Sequence, residues 1–269
     1  MPPWVRMQFR EASLIVRHLR DTGCDSPDCA WCREKNDPNK ALSRWFGFDA
    51  FRPEPKDEDG RPLQERIVAE AMAGKSVLGI LPTGTGKSVC YQVPALLREG
   101  LAVVVSPLIA LMEDQVSTLD ELGVAAVALN SSLSLDEQRE VAERIRQGEI
   151  KLLYVAPERL VQPRMLAFLQ RLQIALFAID EAHCVSQWGH DFRPEYLQLG
   201  QLAELFPNVP RIALTATADK RTREEIAQRL HLDQAERFLS SFDRPNIFYR
   251  IVPKDQPRKQ LLGFLAARK

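Results

Sequence analysis

The residues best placed to do chemistry stand in one short stretch, Leu81-Pro82-Thr83-Gly84-Thr85-Gly86-Lys87-Ser88. The apolar run from Ser76 to Leu81 reads as a short buried strand, and Val89 to Leu97 reads as a helix. A glycine-rich turn between a strand and a helix aims backbone N–H groups and the helix N-terminus at an anion. In such a turn Lys87 reaches the outer phosphates of a nucleoside triphosphate, and the Ser88 hydroxyl takes a place on Mg²⁺. Leu81 stands where the usual G-x-x-x-x-G-K-[ST] pattern has its first glycine, so Gly84 and Gly86 must supply the tight turn.

A second group, Asp180-Glu181-Ala182-His183, follows the apolar run from Ile174 to Ile179. Beside a phosphate loop, Asp180 can hold Mg²⁺, directly or through water, and Glu181 can orient and deprotonate the water that attacks the γ-phosphate. His183 sits where it could couple nucleotide state to a neighbouring loop. Taken without the phosphate loop, the same acids are a solvated pair at a helix start, stabilised by the macrodipole. Trp188, His190, Phe192 and Arg193 come next, in a loop bounded by Gly and Pro. Such a loop is a platform for unpaired bases, since stacking contributes on the order of 1–3 kcal/mol per base. Composition alone favours the plainer reading, an aromatic loop tucked against the core.

Two further features lie before the phosphate loop. Cys24, Cys29 and Cys32 form a C-x4-C-x2-C cluster in a turn-rich segment. The spacing suits a tetrahedral site for zinc or an iron–sulfur centre, with His18 the nearest fourth ligand, and it suits three unligated thiols equally. Gln64 opens a helix from Leu63 and could offer both a donor and an acceptor to an adenine edge, although most glutamines in such places are simply exposed.

The elements that must position these residues alternate along the chain. Strands are expected at Leu101–Val105, Lys151–Val155, Ile174–Ile179 and Ile212–Leu214, with a further apolar run at Val124–Leu129. Helices are expected after Pro107, over 135–147, near 163–172 and near 219–230. This alternation specifies an α/β fold, a mostly parallel sheet covered on both faces, whose ligands bind at the carboxyl ends of the strands. Each polar motif directly follows a strand. Residues 1–40 read as an N-terminal extension, 41–240 as the nucleotide-binding domain, and 241–269 as a linker with the start of a second domain. The last segment holds one extended run and the start of a helix, which cannot bury their apolar faces alone. A truncated second domain or a docking partner is therefore expected there.

Bulk properties narrow the partners. Lys and Arg number 36, as do Asp and Glu, so any nucleic-acid site must be a lined groove rather than a basic surface. No apolar run approaches the roughly 18 residues that span a bilayer. The N-terminal residues lack an apolar core with a small-residue cleavage site, so the cytosol is the expected compartment. Five cysteines there imply thiols or metal ligands rather than a disulfide framework.

Taken together, the motifs resemble the RecQ group of superfamily 2 DNA helicases over nearly all of residues 41–269. The resemblance is carried by Trp45 to Pro53, Pro82 to Gln92, Val105 to Gln115, Tyr154 to Leu160, Asp180 to Pro194, Leu214 to Ala218 and Phe242 to Asn246. It implies the first RecA-like lobe of a P-loop motor that uses Mg·ATP to unwind DNA in the 3′ to 5′ direction. It implies that Gln64 reads adenine, Lys87 holds phosphate, and Asp180 and Glu181 are the metal and water acids. Trp188, His190, Phe192 and Arg193 would sense single-stranded DNA beside a partly duplex substrate. Ser106 to Gln115 and Thr215 to Thr217 would touch the DNA backbone or couple it to the nucleotide. Such a protein belongs with the DNA, at a bacterial nucleoid or in a nucleus. Pro55 holds the family's glutamine position, so Gln64 takes that role if Glu54 to Pro62 is an insertion. The cysteine cluster has no counterpart in the family's motor domain. Rival readings are an RNA-remodelling ATPase of the same superfamily and a nucleotide-binding scaffold without turnover.

Overall fold

The computed structural model describes residues 8, 29–57, 59–130, 133–187, 191–240 and 251–267. The readings made on residues 4–20 (Gln8 apart), His18, Cys24, Trp188, His190 and 241–250 lie outside the described residues. So do the final two residues.

Short apolar runs become strands, and the amphipathic runs between them become helices. In chain order these are α1 (Ala30–Lys35), α2 (Pro38–Ala41), α3 (Leu63–Met72), β1 (Val77–Ile80), α4 (Val89–Leu97), β2 (Leu101–Val105), α5 (Ile109–Glu121) and β3 (Ala126–Leu129). Then follow α6 (Leu135–Arg146), β4 (Leu152–Val155), α7 (Pro157–Leu160), α8 (Pro163–Leu169), β5 (Ile174–Ile179), α9 (Pro194–Leu197), α10 (Leu202–Leu205), β6 (Arg211–Thr215), α11 (Lys220–Arg229), β7 (Glu236–Leu239) and α12 (Pro257–Ala266). A π-turn spans Leu42–Phe46, and 3-10 turns span Ala182–Val185 and Gln198–Gln201.

The strands form one sheet in the order β3-β4-β2-β5-β6-β1-β7, with every pairing parallel. Parallel strands need helical crossovers, and those crossovers cover both faces. The period-two alternation sorts the side chains of β2 and β5 between two cores. Val103, Val105, Phe177 and Ile179 face Leu199, Leu202, Ile226 and Leu230. Ala102, Val104, Leu176 and Ala178 face Ile67, Tyr91, Met112 and Leu119 on α3, α4 and α5. That two-sided burial is why these strands read as unbroken apolar runs.

The helix starts are written in local chemistry. Ser134 and Glu137 form a reciprocal capping box on α6, and Asp219 accepts from Thr222 N to start α11. The boundary expected between residues 40 and 41 falls inside α2. There Ala41 and Leu42 are buried with Phe51, Val68, Val89 and Val93. Edge strand β7 and the short helices α1, α2, α7, α9 and α10 have no counterpart in the sequence reading, where residues 24–32 read as a turn-rich segment. β7 buries Phe238 alone among its four residues, and helices of four to six residues carry no long periodic pattern. Residues 251–267 are exposed throughout, with Leu261, Leu262, Phe264 and Leu265 on the surface of α12. Among the described residues, no helix is long and apolar enough to cross a membrane.

Candidate active site

The strand order brings the phosphate loop and the acidic pair together. β6 alone separates β1 from β5, and the loops after all three open at the same carboxyl edge. Leu81 N donates to Thr215 O at 3.0 Å, which fixes the root of the phosphate loop against the end of β6. On the far side, Asp180 N donates to Val105 O at 2.9 Å. Within the loop Thr85 closes a turn on Pro82 O through both its hydroxyl (2.7 Å) and its N–H (3.4 Å). Gly84 and Gly86 adopt φ of +83° and +73°, the left-handed region that a side chain would strain. Lys87 and Ser88 then lead into α4.

Gln64 is 3% exposed and is the hub of the loop's underside. Its Oε1 accepts from Arg52 N at 2.9 Å, while its Nε2 donates to Thr85 O at 2.8 Å and Gly86 O at 2.9 Å. A Cβ on Gly86 would lie 2.8 Å from that nitrogen. Residues between Arg52 and Gln64 leave this contact and return to it. Lys56 bridges to Pro62, Asp57 N donates to Arg61 O, and Leu63 N donates to Pro55 O. The Asp57 carboxylate closes the excursion on Arg61 N and in an ion pair with Arg66, whose guanidinium lies over Phe238. Pro55 therefore sits in a looped excursion between Arg52 and Gln64, and Gln64 lies against the segment that precedes it.

The acidic pair is wired to β6. Glu181 takes a left-handed conformation (φ 47°, ψ 45°), which costs on the order of 1–2 kcal/mol and turns the chain sharply after β5. Its N–H donates to Asp180 Oδ1 at 2.9 Å. Burial and the neighbouring Glu181 charge push the Asp180 carboxyl up to about 6. His183 Nδ1 lies 3.2 Å from Glu181 Oε2 and 2.8 Å from Thr215 Oγ1. Hydrogen bonds to the Cys184 sulfur and to Glu181 push the imidazole up to about 10, against the opposing effect of burial. The same His183 bond holds the Glu181 carboxylate below its usual range. Nδ1 thus faces both Glu181 Oε2 and Thr215 Oγ1, and the Thr215 hydroxyl in turn donates to Thr217 O at 3.3 Å.

The two described ends of the aromatic loop are anchored separately. Ser186 Oγ donates to Glu225 Oε2 at 2.7 Å, and Gln187 N lies 3.5 Å from Glu225 Oε1. At the other end Arg193 N donates to Cys184 O, and Arg193 Nη1 donates to Pro107 O, both at 2.9 Å. Phe192 is half-buried. Ser106, beside Pro107, is buried, and among the described residues its Oγ has no hydrogen-bond partner. Gln115 accepts from Gln92 Nε2 at 3.1 Å, and the same nitrogen donates to Tyr154 OH.

Lys87, Asp180, Glu181, His183, Thr215 and Thr217 thus converge at one edge, with Ser106, Phe192 and Arg193 beside them. The cysteines do not join them. Cys29 caps α1 and Cys32 lies within it, while Asn36, just past α1, lines a cavity of about 340 Å³ with Arg98, Glu99 and Gln173 at the amino-terminal edge of the sheet. Among the described residues, no group of three His, Cys, Asp or Glu side chains could hold a metal ion. Sequence reasoning missed Glu225 and Tyr196, whose hydroxyl donates to Asp180 O at 3.0 Å. Nothing in their local sequence separates them from ordinary helix residues.

A parallel sheet with a phosphate loop after β1 and an Asp-Glu pair after β5 defines a RecA-like P-loop lobe. The DEAD/DEAH box helicase family model matches residues 61–226, and the chain belongs to that family. It is 44% identical over 245 residues to the ATP-dependent DNA helicase RecQ of Haemophilus influenzae, covering 91% of this chain and 38% of that protein. It is 46% identical over 224 residues to the RecQ helicase of Pasteurella multocida, covering 83% of this chain and 34% of that one. The chain therefore spans little more than a third of these relatives. The DNA-bound helicase MrfA shares the fold at a TM-score of 0.55 and 18% identity, over 76% of this chain and 29% of its own.

Proposed function

We propose that this chain is the ATP-binding motor lobe of a RecQ-type helicase that moves 3′ to 5′ on DNA and hydrolyses ATP when single-stranded DNA is bound. The observation that carries the reading is the chain of contacts from Glu181 through His183 to Thr215. It gives a water-orienting acid a direct physical link to a neighbouring strand end. Gly84, Thr85, Gly86, Lys87 and Ser88 bind and orient the triphosphate. Gln64, which braces the loop from beneath, would read an adenine edge on exchanging its contacts with Arg52, Thr85 and Gly86 for the base. Glu181, held anionic by His183, orients the attacking water and accepts its proton. Asp180 fits a divalent cation, because its enclosed carboxyl carries an uncompensated electrostatic cost that such an ion would relieve. Mg²⁺ bound there with Ser88 would neutralise charge on the phosphates.

DNA coupling is assigned to the loop from Trp188 to Arg193, with Ser106, Gln115 and Thr217 at the backbone-facing edge. Arg193 supports this by joining that loop to Pro107. Unwinding a partly duplex substrate needs a second lobe, which would contribute the arginines that complete the ATP site. The exposed apolar residues of α12 suit docking of such a lobe or of a protein partner. The protein would act where DNA is, in a bacterial cytoplasm at the nucleoid or in a nucleus. Zinc or an iron–sulfur centre at Cys24, Cys29 and Cys32 remains a separate proposal, tested by metal analysis of the purified protein. The central test is ATP turnover with and without single-stranded DNA, with Glu181→Gln as the blank. DNA-stimulated turnover that the substitution abolishes is expected; turnover indifferent to DNA would overturn the reading.

A further inference from the structure

The described ends of the aromatic loop are held by bonds of different kinds. Arg193 reaches Pro107 on the loop after β2, within the set of residues already assigned to DNA coupling. Ser186 and Gln187 reach instead to Glu225 on α11, a residue outside every motif in the sequence. Ser186 is fully buried, and its hydroxyl makes a 2.7 Å bond to a half-buried carboxylate. Ser186 follows directly on the turn Ala182–Val185, which holds His183.

α11 itself starts from the end of β6. Asp219 caps it, two residues after Thr217, and Ile226 and Ala227 fix it to the core. A rigid helix therefore links Thr215–Thr217 to Glu225, and Glu225 links back to Ser186. His183 closes the same circuit from inside through its 2.8 Å contact with Thr215. Two routes thus join the acidic pair to the start of the aromatic loop: one through His183 and β6, the other through α11.

We propose that Glu225 is a positioning residue that locks the start of the aromatic loop to α11, so that displacement of the loop by DNA is transmitted to Thr215 and the ATP site. Glu225 touches neither nucleotide nor DNA in this scheme. It sets the rest position from which the loop signals, and coupling between sites requires such a defined element with two arrangements. The inference rests on the proposed DNA-stimulated ATPase.

The test compares Glu225→Ala, Glu225→Gln and Ser186→Ala in the full-length protein, with oligo(dT) as the DNA probe and a fluorescent ATP analogue for binding. Glu225→Gln retains an acceptor for Gln187 N–H and gains an amide that can donate to Ser186. Glu225→Ala is expected to keep its ATP-analogue affinity and its DNA-free turnover, while DNA stimulation falls about 5-fold or more. Glu225→Gln should recover most of the stimulation. Adding Ser186→Ala to Glu225→Ala should change little further, because both act on one bond. Wild-type stimulation in the Glu225→Ala protein would overturn the inference. So would a uniform loss of ATP binding and basal turnover that Gln fails to rescue, which marks a merely structural residue. If the unaltered protein itself shows no DNA stimulation, the proposed function fails first and the inference falls with it.

Discussion

His183 Nδ1 lies 2.8 Å from the hydroxyl of Thr215, a residue 32 positions later in the chain and one strand away in the sheet. Because the same ring nitrogen lies 3.2 Å from Glu181 Oε2, Glu181, the acid proposed to orient water, and the end of β6 share one hydrogen-bond network. The network continues along β6, where the Thr215 hydroxyl donates onward to Thr217 O at 3.3 Å.

Thr215→Val tests that network with little change of shape. It removes the acceptor facing His183 and the donor facing Thr217, in a fully buried position. The lost hydrogen bonding should cost roughly 1–3 kcal/mol of stability. DNA-stimulated turnover should fall by about tenfold, the size of one coupling bond of 1.4 kcal/mol, with ATP-analogue affinity unchanged. Steady-state ATPase assays and an equilibrium titration check both halves. Thr215→Ser, which keeps the hydroxyl, should retain the wild-type response.

Gln64 makes a different prediction, because its two ends serve different segments. Gln64→Ala leaves Arg52 N and the carbonyls of Thr85 and Gly86 without their partner, a loss of about 1–3 kcal/mol for each group left buried and unpaired. ATP and GTP analogues should then bind with similar, weakened affinities, because the group proposed to read adenine is gone. Gln64→Glu should be as harmful, since a carboxylate accepts from Arg52 N but cannot donate to either carbonyl. Titration with both fluorescent nucleotides distinguishes loss of base selectivity from general damage to the loop.

Cysteine reactivity supplies an independent check on the fold. Burial pushes the Cys90 thiol up to about 12, so almost no thiolate exists at pH 8. Iodoacetamide should label Cys90 negligibly in the native protein and rapidly after denaturation, where the pKa returns toward about 8.5. The native rate should rise only as the pH approaches 12. Peptide mass mapping after a timed pulse measures it, and fast native labelling at pH 8 would contradict the packing of α4 on the sheet.

Much of this architecture was legible because the sheet is buried on both faces. Leu101–Val105 and Ile174–Ile179 read as strands with the bounds the structure gives them, and so does the helix from Val89 to Leu97. The phosphate loop and the acidic pair were legible for another reason, since their chemistry demands fixed residue types at fixed spacing. β7 was not, because an edge strand with one buried side chain has no apolar run to betray it. Glu225 was not, because its partner Ser186 lies 39 residues away and only the crossover of α11 brings them together. The position of Gln64 was readable only as a conditional, because the contacts that return the 54–62 excursion to Arg52, Asp57 with Arg66 among them, join residues that no local pattern pairs.

Ser106 gives the sharpest contrast between stability and function. Its hydroxyl is buried at the end of β2 and has no hydrogen-bond partner among the described residues, a cost of about 1–3 kcal/mol to the protein without its ligands. A purely structural serine would be better replaced by alanine. Ser106→Ala should therefore leave the thermal midpoint unchanged or raise it slightly, by a few degrees at most. The proposed function assigns that hydroxyl to the DNA-facing edge beside Pro107, where Arg193 is already anchored. The same substitution should then raise the oligo(dT) concentration needed for half-maximal ATPase stimulation by about 5-fold, the loss of one neutral hydrogen bond. Differential scanning fluorimetry and a DNA titration of turnover measure the two effects on one sample. A destabilised protein with normal DNA response would show that Ser106 serves the core instead.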